Sequence, residues 1–317
     1  MITKVATLTA EETGAMNLRD IIGSTPLVEL RALSPNPRVR ILAKPEGGNP
    51  GGSVKDRPAL YMISNAQARG ELSREKTVLE PTSGNTGIAI AMLGAAWGYR
   101  VKLVMPACVS LERRAVLSAF GAELILSPAE EGTDGAIRMA HQVLEEAPDK
   151  YYMPNQYANP DNPLAHYETT GPEILHQTGG EVDCFVAGMG TGGTLMGVGR
   201  YLHENAPRTQ IVGIEPTLGH RIQGLKNMKE AIVPPIYNEK NLDRKITVQD
   251  EPAFLTARRL ALEEGLFVGM SSGAAVHGAI EIAREMSSGT IVVLLPDRGD
   301  RYLSTSLFRS TCGKCPP

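Results

Sequence analysis

Residues 76–98, KTVLEPTSGNTGIAIAMLGAAWG, contain the pattern on which the fold prediction depends. The short apolar run TVLE ends at a turn of small and polar residues, and an apolar helical pattern follows. Similar pairs are RVKLVMP before SLERRAVLSAFG, AELILSP before DGAIRMAHQVLEEA, and VDCFVAG before TLMGVGRYLHEN. QIVGIEP, GLFVGM and TIVVLLP are further candidates for buried strands. Strands that alternate with helices of about 10–15 residues predict an α/β protein with mostly parallel sheets.

Composition and charge exclude several classes of protein. The chain has 317 residues, 42% of them hydrophobic, and a net charge of -3, which is typical of a soluble globular protein of about two domains. No basic run indicates nucleic-acid binding, and the apolar runs are shorter than the roughly 20 residues of a membrane span. The first 16 residues lack the apolar core of a signal peptide. We therefore expect a cytoplasmic protein without nucleic-acid or membrane partners.

The turn NPGGSVKDRPAL, residues 49–60, places a lysine at the start of a predicted helix. Ser53 is a good N-cap, and Asp56 completes a capping box with it. Lys55 then falls in the first turn, where the helix dipole disfavours a cation. An unfavourable cation in a segment that otherwise fits a helix indicates a functional position. The alternative is a surface lysine whose amine reaches into water.

Three further strand-to-helix turns contain chemistry-bearing residues. PTSGNTG, residues 81–87, predicts an anion site at a helix N-terminus, with simple helix capping as the alternative. GMGTGGT, residues 188–194, fits G-x-G-x-x-G, and Glu215 about 20 residues later completes a dinucleotide fingerprint. An NAD-dependent dehydrogenase is therefore one interpretation, and a cradle for a single phosphate is the more cautious one.

The fourth turn, GMSSGAAVHGA, holds Ser271 and Ser272. These serines are either N-caps or donors to a ring nitrogen of a cofactor. A lysine, two anion sites and a hydroxyl in one crevice together predict pyridoxal 5'-phosphate (PLP), whose aldehyde reacts with lysine. Burial near a helix N-terminus favours a lowered pKa of Lys55, and hence the neutral amine that imine formation needs.

Two irregular stretches interrupt the strand–helix alternation. Residues 151–172, YYMPNQYANPDNPLAHYETTGP, are predicted to form a hinge or domain junction. Residues 215–242, EPTLGHRIQGLKNMKEAIVPPIYNEKNL, are long for a loop in a compact domain, and loops of that length often cover a ligand.

Six segments in order give the chain a resemblance to a known family. GSVKDR, TSGNTGIA, NQYANPDNPLAHYETTGPEI, GTGGT, SSGAA and DRGDRYLST resemble the cysteine synthases (O-acetylserine sulfhydrylases) of the tryptophan synthase β family of PLP enzymes, fold type II. The likeness extends from Ile22 to Phe308. SVKDR and DRGDRYLST are similar to the B-type rather than the A-type enzyme.

The resemblance implies two open, twisted, mostly parallel sheets flanked by helices, with PLP in the cleft between two domains. Residues 17–48 and 156–308 are expected to form the larger, phosphate-binding domain. Residues 49–155 would form a smaller, mobile domain, with an N-terminal extension at 1–16 and a C-terminal tail at 309–317. A homodimer is expected, as in the family.

The resemblance also assigns site residues. Lys55 is expected to form the internal aldimine and then to take the α-proton of the substrate. The other expected cofactor residues are Asn85, Gly190, Thr191, Gly192, Gly193, Thr194 and Ser271, the last facing the pyridine nitrogen unless Ser272 does. The expected substrate residues are Thr82, Ser83, Gly84, Asn85, Thr86 and Gln156, and no metal is expected.

The implied reaction is β-replacement through an α-aminoacrylate, which converts an activated serine and a sulfur nucleophile into L-cysteine. A serine hydroxyl does not protonate the pyridine nitrogen, so prompt loss of a β-leaving group is favoured over a long-lived carbanion. Closure of the smaller domain would keep water away from the intermediate. The small-molecule partners are then O-acetyl-L-serine and sulfide, thiosulfate or a carrier-protein thiocarboxylate.

Alternatives remain at this point. O-phosphoserine is a second donor, because relatives that bind such donors carry a basic residue where this chain has Lys226, and lysine binds phosphate less specifically than arginine does. Cystathionine β-synthase and serine-threonine dehydratase reactions keep the cofactor, and a non-catalytic regulatory relative would not use it. In the ending CGKCPP, Cys312 and Cys315 could form a redox pair or half a zinc site, but an inert tail is expected.

Overall fold

The computed structural model describes residues 16–82 and 84–308, and within them strands and helices alternate along the chain. The strands are β1 (Val28–Glu29), β2 (Val39–Pro45), β3 (Thr77–Pro81), β4 (Arg100–Pro106), β5 (Glu123–Ser127), β6 (Tyr151–Tyr152), β7 (Cys184–Gly188), β8 (Gln210–Pro216), β9 (Arg244–Val248) and β10 (Gly289–Leu295). The α-helices are α1 (Asp56–Ala68), α2 (Asn85–Trp97), α3 (Leu111–Ala119), α4 (Gly132–Glu146), α5 (Asp161–Ala165), α6 (Gly171–Gln177), α7 (Gly193–Asn205), α8 (Asp250–Glu264) and α9 (Met270–Glu285).

The larger sheet has six strands in the order β1-β2-β10-β7-β8-β9. All neighbours are parallel except β1, which pairs antiparallel with β2. β10 is buried along nearly its whole length, because helices cover both faces of the sheet. The apolar run TIVVLLP therefore lies at the centre of the larger sheet, as its composition predicts.

The smaller sheet has four parallel strands in the order β5-β4-β3-β6. Every residue of β3 is buried, and α2 packs over it with Ile88 and Leu93 in the core. The predicted fold class, two mostly parallel sheets flanked by helices, is confirmed.

Two local predictions are wrong. GLFVGM does not form a strand. It belongs to the short connection between α8 and α9, in which only Val268 makes an isolated bridge, to Arg298. Residues 151–172 are not irregular throughout: α5, a π-helical turn at His166–Thr170 and the start of α6 lie in this stretch. The loop at 215–242 does lack long elements, as expected.

A buried ion network fixes the start of α1 to the larger sheet. Arg57 is 1% exposed, and its guanidinium donates to both carboxylate oxygens of Glu46, which follows β2, and to Glu173 on α6. Such bidentate pairing satisfies a buried charge that would otherwise be costly. This network attaches the first turn of α1 to the expected larger domain, although the sequence assigns α1 to the smaller one. The domain boundaries stay a prediction.

Candidate active site

A cavity of about 690 Å³ opens at the carboxyl ends of the strands. Pro106 ends β4, Gly188 ends β7 and Leu294 lies near the end of β10, and all three line it. Ligands of open parallel sheets bind at this edge, because the strand-to-helix turns meet there. The cavity therefore brings together turns that are far apart in the sequence.

Lys55 lines the cavity but is placed differently from the prediction. Helix α1 begins at Asp56, so Lys55 is its N-cap residue, and the predicted capping box of Ser53 with Asp56 does not form. The Asp56 carboxylate instead accepts the backbone N–H of Gly51, in a turn where Gly52 has φ of +78°. Among the described residues, the Lys55 amine makes no hydrogen bond or ion pair.

The environment of Lys55 lowers its pKa from 10.5 to about 8. Burial in the crevice is the main cause, since it removes water from the ammonium, and the Asp297 carboxylate opposes the shift. A lysine with this pKa supplies a neutral amine near physiological pH. The lysine that the sequence places beside a helix N-terminus is therefore also a group suited to react with an aldehyde.

The lowered pKa predicts how the protein takes up PLP after the cofactor has been removed. The rate of incorporation should rise with pH through about 8 and level off above it, because the neutral fraction of the Lys55 amine saturates. Stopped-flow absorbance measures this rate. Asp297→Asn should move the midpoint to lower pH, since it removes the carboxylate that favours the ammonium. A midpoint at the ordinary lysine value of 10.5 would contradict the prediction.

The turn at 81–87 is held together by Thr82. Its Oγ1 accepts the N–H groups of Gly84 at 3.0 Å and Gly87 at 3.2 Å, so Thr82 lies behind the cavity wall and braces the turn. Asn85 and Thr86 line the cavity, while Ser83 lies outside the described residues. The predicted substrate turn therefore presents Asn85 and Thr86 to the cavity and uses Thr82 internally.

Asn85 is tied to a residue that the sequence analysis did not single out. Its Nδ2 donates to Asp297 Oδ2 at 2.7 Å, and its Oδ1 accepts from Arg301. Asp297 follows β10, is 1% exposed and also accepts the Tyr302 hydroxyl at 2.6 Å. An acidic residue directly after a central strand was the signal that could have identified it.

The glycine loop after β7 forms a cup of backbone donors. Gly190, Thr191 and Thr194 line the cavity, and α7 begins at Gly193 after Gly192, which has φ of +87°. A Cβ at Gly190 would lie 2.7 Å from the Gly224 carbonyl oxygen, so the loops approach too closely for a larger residue. Within the described part of the chain, the Gly190, Thr191 and Gly192 amides have no acceptor. An anion such as a phosphate suits this helix N-terminus.

Ser271 lines the cavity from the first turn of α9. The N-cap of that helix is Gly269, so the prediction that Ser271 and Ser272 are N-caps is wrong. The hydroxyl of Ser272 is buried and has no partner in the described structure. Glu215, which completes the dinucleotide fingerprint in the sequence, has a structural contact instead. Its carboxylate accepts the Met228 N–H at 2.9 Å.

Lys226 lines the cavity from the long loop that follows β8. Its amine lies 2.8 Å from Asp134 Oδ1 on α4 and 5.2 Å from the ring centre of Tyr157. Gln156 also lines the cavity, and its Oε1 accepts the Thr86 hydroxyl at 2.6 Å. Nine of the thirteen predicted site residues that the structure describes line this cavity. Thr82 and Gly84 support its wall, and Gly192 and Gly193 belong to the glycine loop but do not line it.

A lysine and a cup of backbone amides at one strand edge suit a cofactor that has an aldehyde and a phosphate. A family model described as "Pyridoxal-phosphate dependent enzyme" matches residues 18–297. The chain belongs to this family of PLP-dependent enzymes.

Curated and solved relatives are similar over most of their length. Cysteine synthase B of Pseudomonas aeruginosa is 47% identical over 291 residues, which cover 92% of this chain and 97% of the relative. Cysteine synthase of Aquifex aeolicus is 48% identical over 296 residues, covering 91% and 90%. The structure of an O-ureido-L-serine synthase superposes with a TM-score of 0.89 at 40% identity, covering 95% of this chain and 98% of that one. Cysteine synthase of Entamoeba histolytica gives 0.88 at 38% identity, covering 98% and 95%.

Two further findings concern what the described residues lack. No helix within 16–82 and 84–308 is long and apolar enough to cross a membrane. The same residues contain no group of three or more His, Cys, Asp and Glu side chains that could hold a metal ion. The cysteines of CGKCPP lie outside the described residues.

Proposed function

We propose that the protein catalyses β-replacement on an activated serine, preferably O-acetyl-L-serine, to form L-cysteine with sulfide or another sulfur nucleophile. The observation that carries the proposal is the Lys55 amine, unpartnered among the described residues, in a cavity that also holds the amide cup at 190–193. PLP, when bound, supplies the aldehyde for the lysine and an electron sink for proton loss. The relatives named cysteine synthase support the same reaction.

The proposed roles follow from the positions of the residues. Lys55 would hold the cofactor and then move the α-proton of the substrate, since its lowered pKa suits a base. The amides of Gly190, Thr191, Gly192 and Gly193, with Thr194, would hold the phosphate, and Ser271 would face the ring nitrogen. Asn85 and Thr86 would bind the substrate carboxylate, and Gln156 would contact the bound amino acid.

The charges around the cavity favour a neutral acyl group on the donor. Glu130, Glu131, Asp134 and Glu230 line it. The charge of Lys226 is offset by Asp134, and Arg221 is paired with Asp250 at 3.1 Å. Glu131 is paired with Arg138, and Arg113, which also lines the cavity, lies 3.8 Å from Asp297, so Glu130 and Glu230 remain. A phosphate on the serine would meet these two carboxylates at a Coulombic cost. O-acetyl-L-serine is therefore the preferred donor, and O-phospho-L-serine is the weaker one.

Absorbance titration of the PLP-loaded protein tests this function. O-acetyl-L-serine should shift the visible absorption of the cofactor at Lys55, and added sulfide should restore it with formation of cysteine. O-phospho-L-serine should give the same change only at about tenfold or greater concentration. Lys226→Ala should weaken the response to an anionic donor or acceptor, such as thiosulfate, more than the response to O-acetyl-L-serine. No spectral change with either donor would contradict the proposal.

The acceptor is tested in the same experiment. Release of pyruvate without a sulfur compound would favour a dehydratase, and product formation with homocysteine would favour a cystathionine β-synthase. Solved relatives with different printed names, such as the O-ureido-L-serine synthase, have nearly the same fold. The acceptor must therefore be identified from the product rather than from the fold.

The proposed assembly is a homodimer in the cytoplasm. Leu111 and Leu303 are exposed apolar side chains on neighbouring segments, since Glu112 accepts the N–H and hydroxyl of Ser304, and they support contact with a second copy. We also propose that residues 49–155 move over the cavity when substrate binds, with the first turn of α1 held back by Arg57. Such closure would keep water away from the reacting group.

A further inference from the structure

Glu80 is a fully buried carboxylate that the proposed reaction does not use. It lies on β3 one residue before the strand ends, and it is 0% exposed. Its Oε2 accepts the backbone N–H of Asn155 at 2.7 Å, and its Oε1 accepts that of Gln156 at 2.9 Å. One side chain therefore holds two consecutive amides that are 75 and 76 residues further along the chain.

The segment held by Glu80 has an unfavourable backbone conformation. Asn155 has φ of +54°, in the left-handed region that side-chain-bearing residues seldom adopt. Its carbonyl accepts the N–H groups of Ala158 and Asn159, which completes the turn. Asparagine adopts this conformation more readily than most residues with a side chain, and its surroundings select it here. The Glu80 carboxylate supplies one of those restraints.

Gln156 connects this turn to the cavity. Its Oε1 accepts the Thr86 hydroxyl at 2.6 Å, and its Nε2 donates to the Pro81 carbonyl at 3.1 Å. The backbone carbonyl of Gln156 accepts Asn162 Nδ2 at 2.7 Å, and the same amide lies 3.2 Å from Thr191 Oγ1. Gln156 is therefore hydrogen-bonded to the turn at 81–87 and, through Asn162, connected to the glycine loop at 190–193.

We propose that Glu80 is a positioning residue that fixes the turn at 155–156, so that the Gln156 side chain meets Thr86 and faces the substrate. The inference rests on the proposed function, in which Gln156 binds the amino-acid substrate. Burial raises the pKa of Glu80, and the backbone N–H groups of Gln156 and Asn155, one on each oxygen, favour the ionised carboxylate. The carboxyl is retained in this apolar place because only a group with two acceptor oxygens satisfies both amides.

Glu80→Gln tests the inference with little change in volume. The new NH₂ group would face one of the two backbone N–H donors, so one buried hydrogen bond is lost. The KM for O-acetyl-L-serine should rise about tenfold, while kcat and the KM for sulfide stay within about twofold. An unchanged KM for the donor would overturn the inference.

A double-mutant cycle separates positioning from general destabilisation. If Glu80 acts through Gln156, the variant E80Q/Q156A should have the same KM for the donor as Q156A alone. Multiplied effects of the two substitutions would overturn the inference. Asp183→Asn is the control for replacing a carboxylate that accepts a backbone N–H away from the cavity, since the exposed Asp183 accepts that of Thr290 at 2.8 Å. This control should leave the KM unchanged.

Hydrogen exchange gives a readout that does not depend on the reaction. In E80Q, the amides of Asn155 and Gln156 should exchange at least tenfold faster than in the wild type, and D183N should not change them. Unchanged exchange would overturn the inference. If the wild type does not respond to either donor, the proposed function fails, and exchange alone decides the role of Glu80. Glu80→Asp, which withdraws the carboxylate from both amides, is judged by the same criteria if E80Q does not fold.

Discussion

Lys55→Ala is expected to lower kcat for cysteine formation by about 10³-fold or more and to abolish the covalent attachment of PLP. The reason is that the cavity then lacks the amine whose pKa is lowered to about 8, and with it both the link to the cofactor and the proposed base. The measurement combines steady-state kinetics with the visible absorption of the purified protein and with mass spectrometry after reduction by borohydride.

Lys102→Ala is the matched control for this substitution. Lys102 lies on β4, and its amine is 2.7 Å from Glu123, away from the cavity lining. The control should keep both the absorption and the activity, because the Glu123 carboxylate of this pair is exposed and such pairs contribute little to stability. Activity of Lys55→Ala within tenfold of the wild type would contradict the assignment of the lysine.

Gly193→Ala is expected to weaken PLP binding by about tenfold or more and to lower the stability by about 1–3 kcal/mol. A Cβ at this position would overlap Asn162 Oδ1, and the neighbouring Asn162 amide bonds to the Gln156 carbonyl. The side chain therefore has to displace either Asn162 or the start of α7, where the phosphate is proposed to bind. Equilibrium dialysis of PLP and thermal unfolding measure the two effects.

Gly48→Ala is the control for an added methyl group. A Cβ there would meet only Thr25 Cγ2, at 4.0 Å, and the backbone conformation suits alanine. We expect its PLP affinity and unfolding temperature to stay close to those of the wild type. If Gly193→Ala bound PLP as tightly as Gly48→Ala does, the phosphate site would have to lie elsewhere.

The sequence determined the fold class and the general place of the site. Apolar strand runs between helical patterns require parallel sheets, and parallel sheets bring their strand-to-helix turns to one edge. The glycines at 190–193 and the turn at 81–87 could therefore be assigned to one site without coordinates. These inferences depend only on patterns of neighbouring residues, which can be read without knowing how distant segments pack.

The tertiary structure decided which atoms meet. The sequence predicts a capping box of Ser53 and Asp56, but the Asp56 carboxylate instead accepts an N–H from the glycine turn before the helix. Between Ser271 and Ser272, only the packing of α9 shows which one lines the cavity. Two adjacent serines are equivalent in a sequence pattern, and the orientation of the helix decides which side chain points into the cavity.

The contacts that complete the site join residues far apart in the sequence. Asn85 meets Asp297 across 212 positions, and Lys226 meets Asp134 across 92. Glu80 reaches Gln156 across 76 positions. No periodicity or spacing predicts such pairs, because they arise from the order of the strands within a sheet, as for β3 and β6, and from the way the two sheets lie beside each other. The sequence alone thus predicted the cofactor class, which the family model confirms, and the proposed lysine. The tertiary structure decided which carboxylates lie near that lysine and the residues around it.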